Sequence, residues 1–324
     1  MNNTIINGDC LDVMKNIPTK HINLVVVDLP YGQTDCEWDT CIDLNLMWIQ
    51  LKRLLKDNGQ ILFFSTTKFG NSIINSNPSW FRYDLIWSKE NSVGFLSANK
   101  MPLREHEMIY IFHPDKDIDI DCNRNIENRA YAKKCKAFIN KSAKHIDEVI
   151  GNQGCRHFLG AFTSTQFSLP TEATYNKLIE HFKLNEMEGF KPYNELDKSK
   201  WTYNPQKTDG KPYKIKRGGI IPVYGTQRTN VTNTTGDRHP TSIQHFGCDK
   251  EKIHPTQKPV ALCEWLIKTY SNEGDTVLDF CMGSGSTVIA CLNTKRQYIG
   301  IEKDTDIFHK AQIRINKTIT TPTL

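Results

Sequence analysis

Strand-length apolar runs alternate with helical stretches at both ends of this chain, and the alternation stops in the middle. Thr4 to Asn7 reads as a short strand and Leu11 to Asn16 as a helix, and Asn23-Leu-Val-Val-Val-Asp28 is an apolar run of strand length that ends in a carboxylate. A helix over Leu44 to Lys56 leads through Asp57-Asn-Gly59 to a second apolar strand, Gln60 to Ser65; further strands fit Tyr83 to Ser88 and His106 to His113. The C-terminal end resumes the pattern with helix Val260 to Tyr270, strand Thr276 to Phe280, helix Ser286 to Thr294, strand Tyr298 to Glu302 and helix Thr305 to Asn316. Strands with no polar face, separated by helices, are what a sheet covered on both sides requires, so the two ends predict one α/β sheet.

Residues 114 to 250 read as an inserted module followed by long loops. Helices fit Glu127 to Ile139, Ala143 to Ile150 and Glu172 to Phe182, the last started by Pro170-Thr171, and the stretch around Gly151 has the length of a helix-turn-helix. After Lys191 the composition turns to Pro, Gly, Thr and Asn around Lys211-Pro-Tyr-Lys-Ile-Lys-Arg-Gly-Gly219. The net charge of +5 is concentrated here: residues 113 to 250 carry 22 basic and 16 acidic side chains, against 19 and 20 elsewhere. Contacts to a polyanion are expected in that region, although the same charges also suit a plain solvated surface. The aromatics Trp201, Tyr203, Tyr213 and Tyr224 interleave with Lys211, Lys214, Lys216 and Arg217, which fits either base stacking with phosphate neutralisation or a small satellite core.

Several classes are excluded. The 10 Cys are irregularly spaced without a CxxC pair, and Met1 to Cys10 lacks the blocks of a signal peptide, so a reduced, cytoplasmic setting is expected. No apolar run approaches the roughly 20 residues that span a bilayer. Cys122, Cys135, Cys155 and His157 are spaced unlike any compact zinc site, and no metal is expected.

Two motifs carry the chemistry. Asp28-Leu29-Pro30-Tyr31-Gly32 lies just past the carboxyl end of a buried strand, where open α/β sheets bind ligands; a carboxylate there can accept hydrogen bonds from an exocyclic amine, and a ring beside it can stack on a planar base. Asp279-Phe280-Cys281-Met282-Gly283-Ser284-Gly285-Ser286-Thr287 joins a strand to a helix, with two glycines for close approach of a ligand and Ser286 or Thr287 to cap the helix. Glu302, 17 residues after Gly285 at the end of the next strand, suits the two hydroxyls of a ribose.

With these motifs in this order, the chain resembles the N6-adenine and N4-cytosine DNA methyltransferases in their β-type arrangement, over residues 1 to 113 and 251 to 316. The resemblance implies a Rossmann-like sheet that uses S-adenosylmethionine, split into a catalytic half (1–113) and a cofactor half (251–324) around a partly helical target-recognition domain (114–250). It implies that Asp28 and the carbonyl of Leu29 accept from the target amine, with Pro30 stiffening the turn and Tyr31 stacking on a flipped base. Phe280, Gly283, Gly285, Ser286 and Thr287 would line the cofactor site, with Asp279 near the amino-acid moiety, Glu302 on the ribose, Asp9 and Cys10 at the adenine, and Lys258 of His254-Pro-Thr-Gln-Lys258-Pro259 near the methionine carboxylate. Leu29 stands where the family usually has Pro; its carbonyl keeps the chemistry while the turn loses rigidity. Arg104-Glu-His106-Glu107 matches a recurring stretch to which no role is given. The implied reaction is methylation of adenine N6 in double-stranded DNA, since Asp in the first motif position goes with adenine more often than with cytosine. N4-cytosine methylation and an RNA amino-methyltransferase of the same fold are the alternatives. A homodimer and a restriction-endonuclease partner are left open.

Overall fold

Successive side chains from Leu24 to Val27 fall into two different cores. Leu24 and Val26 pack with Leu62 and Phe64, while Val25 and Val27 pack with Ile61 and Phe63. All eight are buried, so both faces of these strands are covered and an unbroken apolar run is the only pattern that satisfies them.

The computed structural model describes residues 2–32, 41–114, 126–163, 167–196, 201–216, 220–221, 225–226, 230–254 and 256–320. They form two compact units: 1–113 with 201–324, and 114–200.

The first unit begins with β1 (Thr4–Asn7), α1 (Cys10–Met14), β2 (Ile22–Asp28), α2 (Leu44–Leu54), β3 (Leu55–Ser65), α3 (Thr67–Ser76), β4 (Phe81–Val93) and β5 (Arg104–Phe112). The second unit is helical, with α4 (Ile126–Ile139), α5 (Ala143–Ile150), α6 (Arg156–Gly160), α7 (Glu172–Phe182) and α8 (Tyr193–Leu196). The first unit resumes with β6 (Tyr213–Lys216), β7 (Ile220–Ile221), β8 (Gly225–Thr226), β9 (Asn230–Asn233), β10 (Ile243–His245), α9 (Val260–Tyr270), β11 (Thr276–Asp279), α10 (Ser286–Asn293), β12 (Gln297–Glu302) and α11 (Thr305–Thr320).

Eight strands form one sheet in the order β1-β12-β11-β2-β3-β5-β4-β10. It is parallel from β1 through β3; β5 runs antiparallel to both β3 and β4, and β10 is parallel to β4. Met14, Met47, Trp48, Leu51 and Ile73 bring α1, α2 and α3 onto one face, and Leu266, Val288 and Phe308 bring α9, α10 and α11 onto the other. The expected α/β sheet is therefore present.

Among the elements that escaped the sequence, one helix and one strand bear on the large sheet. Helix α3 carries no long apolar stripe, only Gly70 and Ile73 being buried, and its start is set by Thr66, whose hydroxyl accepts from the Phe69 amide at 3.3 Å. Gly70 is required there because a Cβ would lie 2.0 Å from the Tyr110 ring. Strand β10 has a single large apolar residue, Ile243, and that one is exposed, so periodicity could not reveal it.

The compact boundary also differs from the composition boundary at 250: residues 201–250 belong with the sheet unit. Backbone and side-chain bonds hold them there. Gln60 Nε2 donates to the Thr202 carbonyl at 2.6 Å, the Asn204 amide to Thr269 at 2.7 Å, and Trp87 Nε1 to Phe246 at 2.8 Å. The Trp201 ring meets His113 edge-on at 5.1 Å, and the exposed Tyr203 ring lies tilted 6.1 Å from Tyr270, both within this unit.

The 114–200 unit has its own core, including Cys135, Ile146, Phe158, Tyr175 and Leu178. Tyr131 and Tyr175 share a hydroxyl hydrogen bond of 2.7 Å, and Tyr175 donates to the Lys191 carbonyl at 2.8 Å, so both buried phenols are satisfied. Gly151 ends α5 in the left-handed region (φ 78°), and α6 after it is only five residues long. Burial pushes the Cys135 and Cys155 thiols up to about 11 and about 12, as befits apolar core residues. Cys122 lies outside the described residues. Among the described residues, no helix is long and apolar enough to cross a membrane.

Candidate active site

The carboxyl ends of β1, β2, β11 and β12 surround one cavity of about 420 Å³. Asp28, Leu29 and Pro30 reach it from β2, Asp9 and Cys10 from the start of α1, Asp279 to Gly283 with Ser286 and Thr287 from the turn after β11, and Glu302 from β12. Lys258, His254 and Thr256 complete it from the loop before α9. Two motifs more than 200 residues apart in sequence thus meet because β2 and β11 are paired neighbours, Leu24 beside Val277.

Gly285 and Tyr31 support the cavity without lining it. Gly285 is the residue before α10, in the left-handed region (φ 76°), with Ile315 so close beneath that a Cβ would meet it at 2.9 Å. Gly283 also has positive φ, at 49°. The expectation that Ser286 or Thr287 caps α10 is not met, because the cap position is Gly285 and no side chain closes it. Ser286 instead accepts from Arg314 Nη1 at 3.0 Å, and the Thr287 hydroxyl bonds Asp279.

Three carboxylates in the cavity are held differently. Glu302 accepts the Gly283 amide on Oε2 and the Asp304 amide on Oε1, both at 2.9 Å, and burial raises its pKa against those bonds. Asp279 is almost fully buried; burial pushes it up to about 7 while Thr287 and the Cys281 amide pull it down. Asp9 caps α1 by accepting the Leu11 amide at 3.0 Å, and its other oxygen lies 3.1 Å from Lys303 Nζ.

Asp28 is held by two protein side chains. Tyr31 Oη donates to its Oδ1 at 2.5 Å, and Lys258 Nζ is ion-paired with its Oδ2. Lys258 also lies 3.3 Å from Glu107 Oε2, and Lys89 pairs with Glu107 Oε1. The structure therefore places Lys258 against the first motif, where the resemblance had it beside a cofactor carboxylate. The reason is local. Asp249 accepts the Val260 amide (3.2 Å), Gln257 Nε2 (2.8 Å) and Arg314 Nη2 (2.9 Å), which pins the loop before α9 over the sheet face that presents Asp28 and Glu107. Likewise Tyr31, expected to stack, is turned with its hydroxyl onto Asp28 and its ring 5.1 Å from that of Phe69.

Sequence reasoning gave no role to Glu107, Lys89, Asp249 and Arg314. Only Glu107 had a signal, in the Arg104 to Glu107 stretch.

The basic segment lies away from this cavity's lining. Lys211 and Lys214 are exposed, and Lys216 lies in β6, which pairs with β9. Arg217 and Tyr224 lie outside the described residues. Tyr213 is covered by the guanidinium of Arg238, 4.6 Å from its centroid, and Arg238 Nη2 donates to the Lys211 carbonyl at 2.6 Å.

A model of the DNA methylase family matches residues 22–313 of this chain. The Type II methyltransferase M1.MboII of Moraxella bovis is 22% identical, over 97% of both proteins. M.HinfI of Haemophilus influenzae is also 22% identical, over 97% of this chain and 68% of that one. M.HpaI of Haemophilus parainfluenzae is 39% identical over 92 residues, 27% of this chain and only 29% of that protein's length. Among solved structures, the PvuII DNA methyltransferase, described as cytosine-N4-specific, covers 97% of this chain and 86% of its own with a TM-score of 0.51 at 12% identity. M1.HpyAVI covers 97% and 98% with a TM-score of 0.50 at 17% identity. At such identities the two structures bear on the fold alone.

Proposed function

This chain belongs to the DNA methylase family, and from that premise we propose that it transfers a methyl group from S-adenosylmethionine to the N6 amine of adenine in double-stranded DNA. The observation that carries the reading is Asp28, at the carboxyl end of β2, opening into the same cavity as Asp279, Gly283 and Glu302.

The cavity's own features fit the cofactor. Both oxygens of Glu302 are oriented by backbone amides and keep lone pairs for two ribose hydroxyls. Gly283, with no side chain and positive φ, leaves room beside it. Asp279 offers a buried carboxylate for an ammonium group, and Asp9 an acceptor for an adenine amine. When bound, S-adenosylmethionine supplies an electrophilic methyl group on a sulfonium.

The remaining work falls to the chain. An exocyclic amine is a weak nucleophile because its lone pair is delocalised into the ring. Asp28 and the Leu29 carbonyl, accepting its two hydrogens, localise that lone pair on nitrogen and aim it. A base inside a duplex does not reach such a cavity, so the target nucleotide is flipped out. An Asp rather than a Ser in the first motif position supports adenine.

Incubating the protein with DNA and S-adenosylmethionine, then identifying modified nucleosides by mass spectrometry, tests this. N6-methyldeoxyadenosine is the expected product. N4-methyldeoxycytidine would overturn the choice of base, and no methylated nucleoside would overturn the reading.

Two more outcomes follow. Because burial pushes Asp279 up to about 7 and an ammonium favours its ionised form, S-adenosylmethionine affinity falls as pH drops through that value. Asp279→Asn flattens this dependence in a calorimetric pH series; an unchanged slope would place the ammonium elsewhere. Second, if the basic segment neutralises phosphates, replacing Lys211, Lys214, Lys216 and Arg217 together lowers the slope of log DNA affinity against log salt by up to about 3.6, without altering cofactor affinity. A slope equal to that of the wild type would reduce these charges to a solvated surface.

A further inference from the structure

On one face of the sheet, at its carboxyl edge, four charged side chains alternate in sign. Asp28 follows Val26 on β2 by two residues, Lys89 follows Trp87 on β4 by two, and Glu107 precedes Ile109 on β5 by two. The period of a strand therefore sets all three on the face that buries Val26, Trp87 and Ile109. Lys258 enters the row from the loop before α9, which covers that same face. The sequence of contacts is Asp28, Lys258, Glu107, Lys89, and each side chain is less than a quarter exposed. Asp28 and Lys258 line the cavity, while Glu107 and Lys89 do not.

We propose that Glu107 is a positioning residue for methyl transfer: it shares the Lys258 ammonium with Asp28, so that Asp28 remains ionised yet incompletely engaged and able to accept the target amine, while Lys89 sets how strongly Glu107 competes. The inference rests on the methyl-transfer reading of Asp28. A carboxylate that held an ammonium alone would have to surrender that contact to receive a neutral amine. Sharing the ammonium with a second carboxylate weakens the first contact without removing the charge that keeps Asp28 ionised.

The electrostatics agree in sign. The Asp28 pKa lies above its ordinary value: burial raises it most, Lys258 lowers it and Glu107 raises it again. Burial works to lower the Lys258 pKa, but Asp28 and Glu107 overcome it and raise it. Other groups that bear on the pair are the Tyr31 hydroxyl on Asp28, His254 from the same loop as Lys258, Cys263 on α9 near Lys258, and Asp279 on β11.

Opposite substitutions give opposite shifts. Glu107→Gln removes an anion, so the Asp28 titration and the acid limb of kcat move together to lower pH, by about one unit. Lys89→Gln unmasks that anion, so both move to higher pH. A merely structural role would impair activity in both variants without shifting the titration in opposite senses. In a Lys258→Met background the Glu107→Gln shift is smaller, because only the direct repulsion between the two carboxylates remains. The Asp28 titration is read from its carboxyl carbon by NMR in cofactor-free protein, the resonance being identified by its loss in Asp28→Asn. Should Glu107→Gln fail to fold, the upward shift in Lys89→Gln decides alone. Shifts of the same sign, no shift, or a Glu107→Gln shift undiminished without Lys258 would overturn the inference while an active wild type left the functional reading intact. An inactive wild type would overturn both.

Discussion

Asp28→Ala slows methyl transfer by about 30- to 1000-fold while S-adenosylmethionine still binds. Asp28 lines the cavity and is held by Tyr31 and Lys258, and the proposed reading gives it the target amine rather than the cofactor. Its loss removes a charge-assisted acceptor from the reacting nitrogen, worth about 2 to 4 kcal/mol in the transition state if it resembles loss of an oxyanion-hole donor. That corresponds to a fall in rate of about 30- to 1000-fold. The substitution has a second consequence, since Lys258 is then left with Glu107 alone and draws toward it. Asp28→Asn, which keeps the shape and one acceptor oxygen, loses less of the folded structure and serves as the control for misfolding. Single-turnover kinetics on a DNA substrate, with calorimetry for the cofactor, reads both quantities. Wild-type turnover in the alanine variant would remove Asp28 from the chemistry.

The parts of this molecule legible in its sequence are those where burial writes a periodic signal. Val25 to Val27 and Ile61 to Phe64 lie in a sheet covered on both sides, so their apolar runs announced buried strands, and the carboxylate ending the first run lines the cavity. The turn from Asp279 to Gly285 was legible because positive φ at Gly283 and Gly285 calls for glycine. What stayed hidden was long-range. Strand β10 is held by backbone pairing to β4, which leaves no trace in side-chain pattern, and so residues 201–250 read as part of the insert. The pairing of Lys258 with Asp28 and Glu107 joins three distant segments, and no local spacing encodes it. The cap of α10 was misjudged because Ser286 and Thr287 carry capping hydroxyls, yet Arg314 and Asp279 engage them first.

Glu302→Ala has the complementary effect, weakening S-adenosylmethionine while leaving the target side of the cavity in place. Glu302 ends β12, beside the turn that follows β11, and its two oxygens are each anchored by one amide, from Gly283 and from Asp304. With those bonds made, the remaining lone pairs give the cavity two oriented acceptors, which the proposed reading assigns to the ribose diol. Removing them costs two hydrogen bonds to a charged group, about 1.5 to 3 kcal/mol of binding for each. A further loss arises in the protein, because the Gly283 and Asp304 amides are left without their acceptor and the turn between β11 and α10 loses the tie that shapes it. Glu302→Gln separates the two contributions: its amide oxygen still accepts from one of the amides, while its NH2 group faces a hydroxyl less well than a carboxylate does. Calorimetric titration should therefore rank affinity as wild type, then Glu302→Gln, then Glu302→Ala, with KM for S-adenosylmethionine rising in the same order and kcat at saturation changing least. Equal affinity in all three proteins would move the ribose to another acceptor.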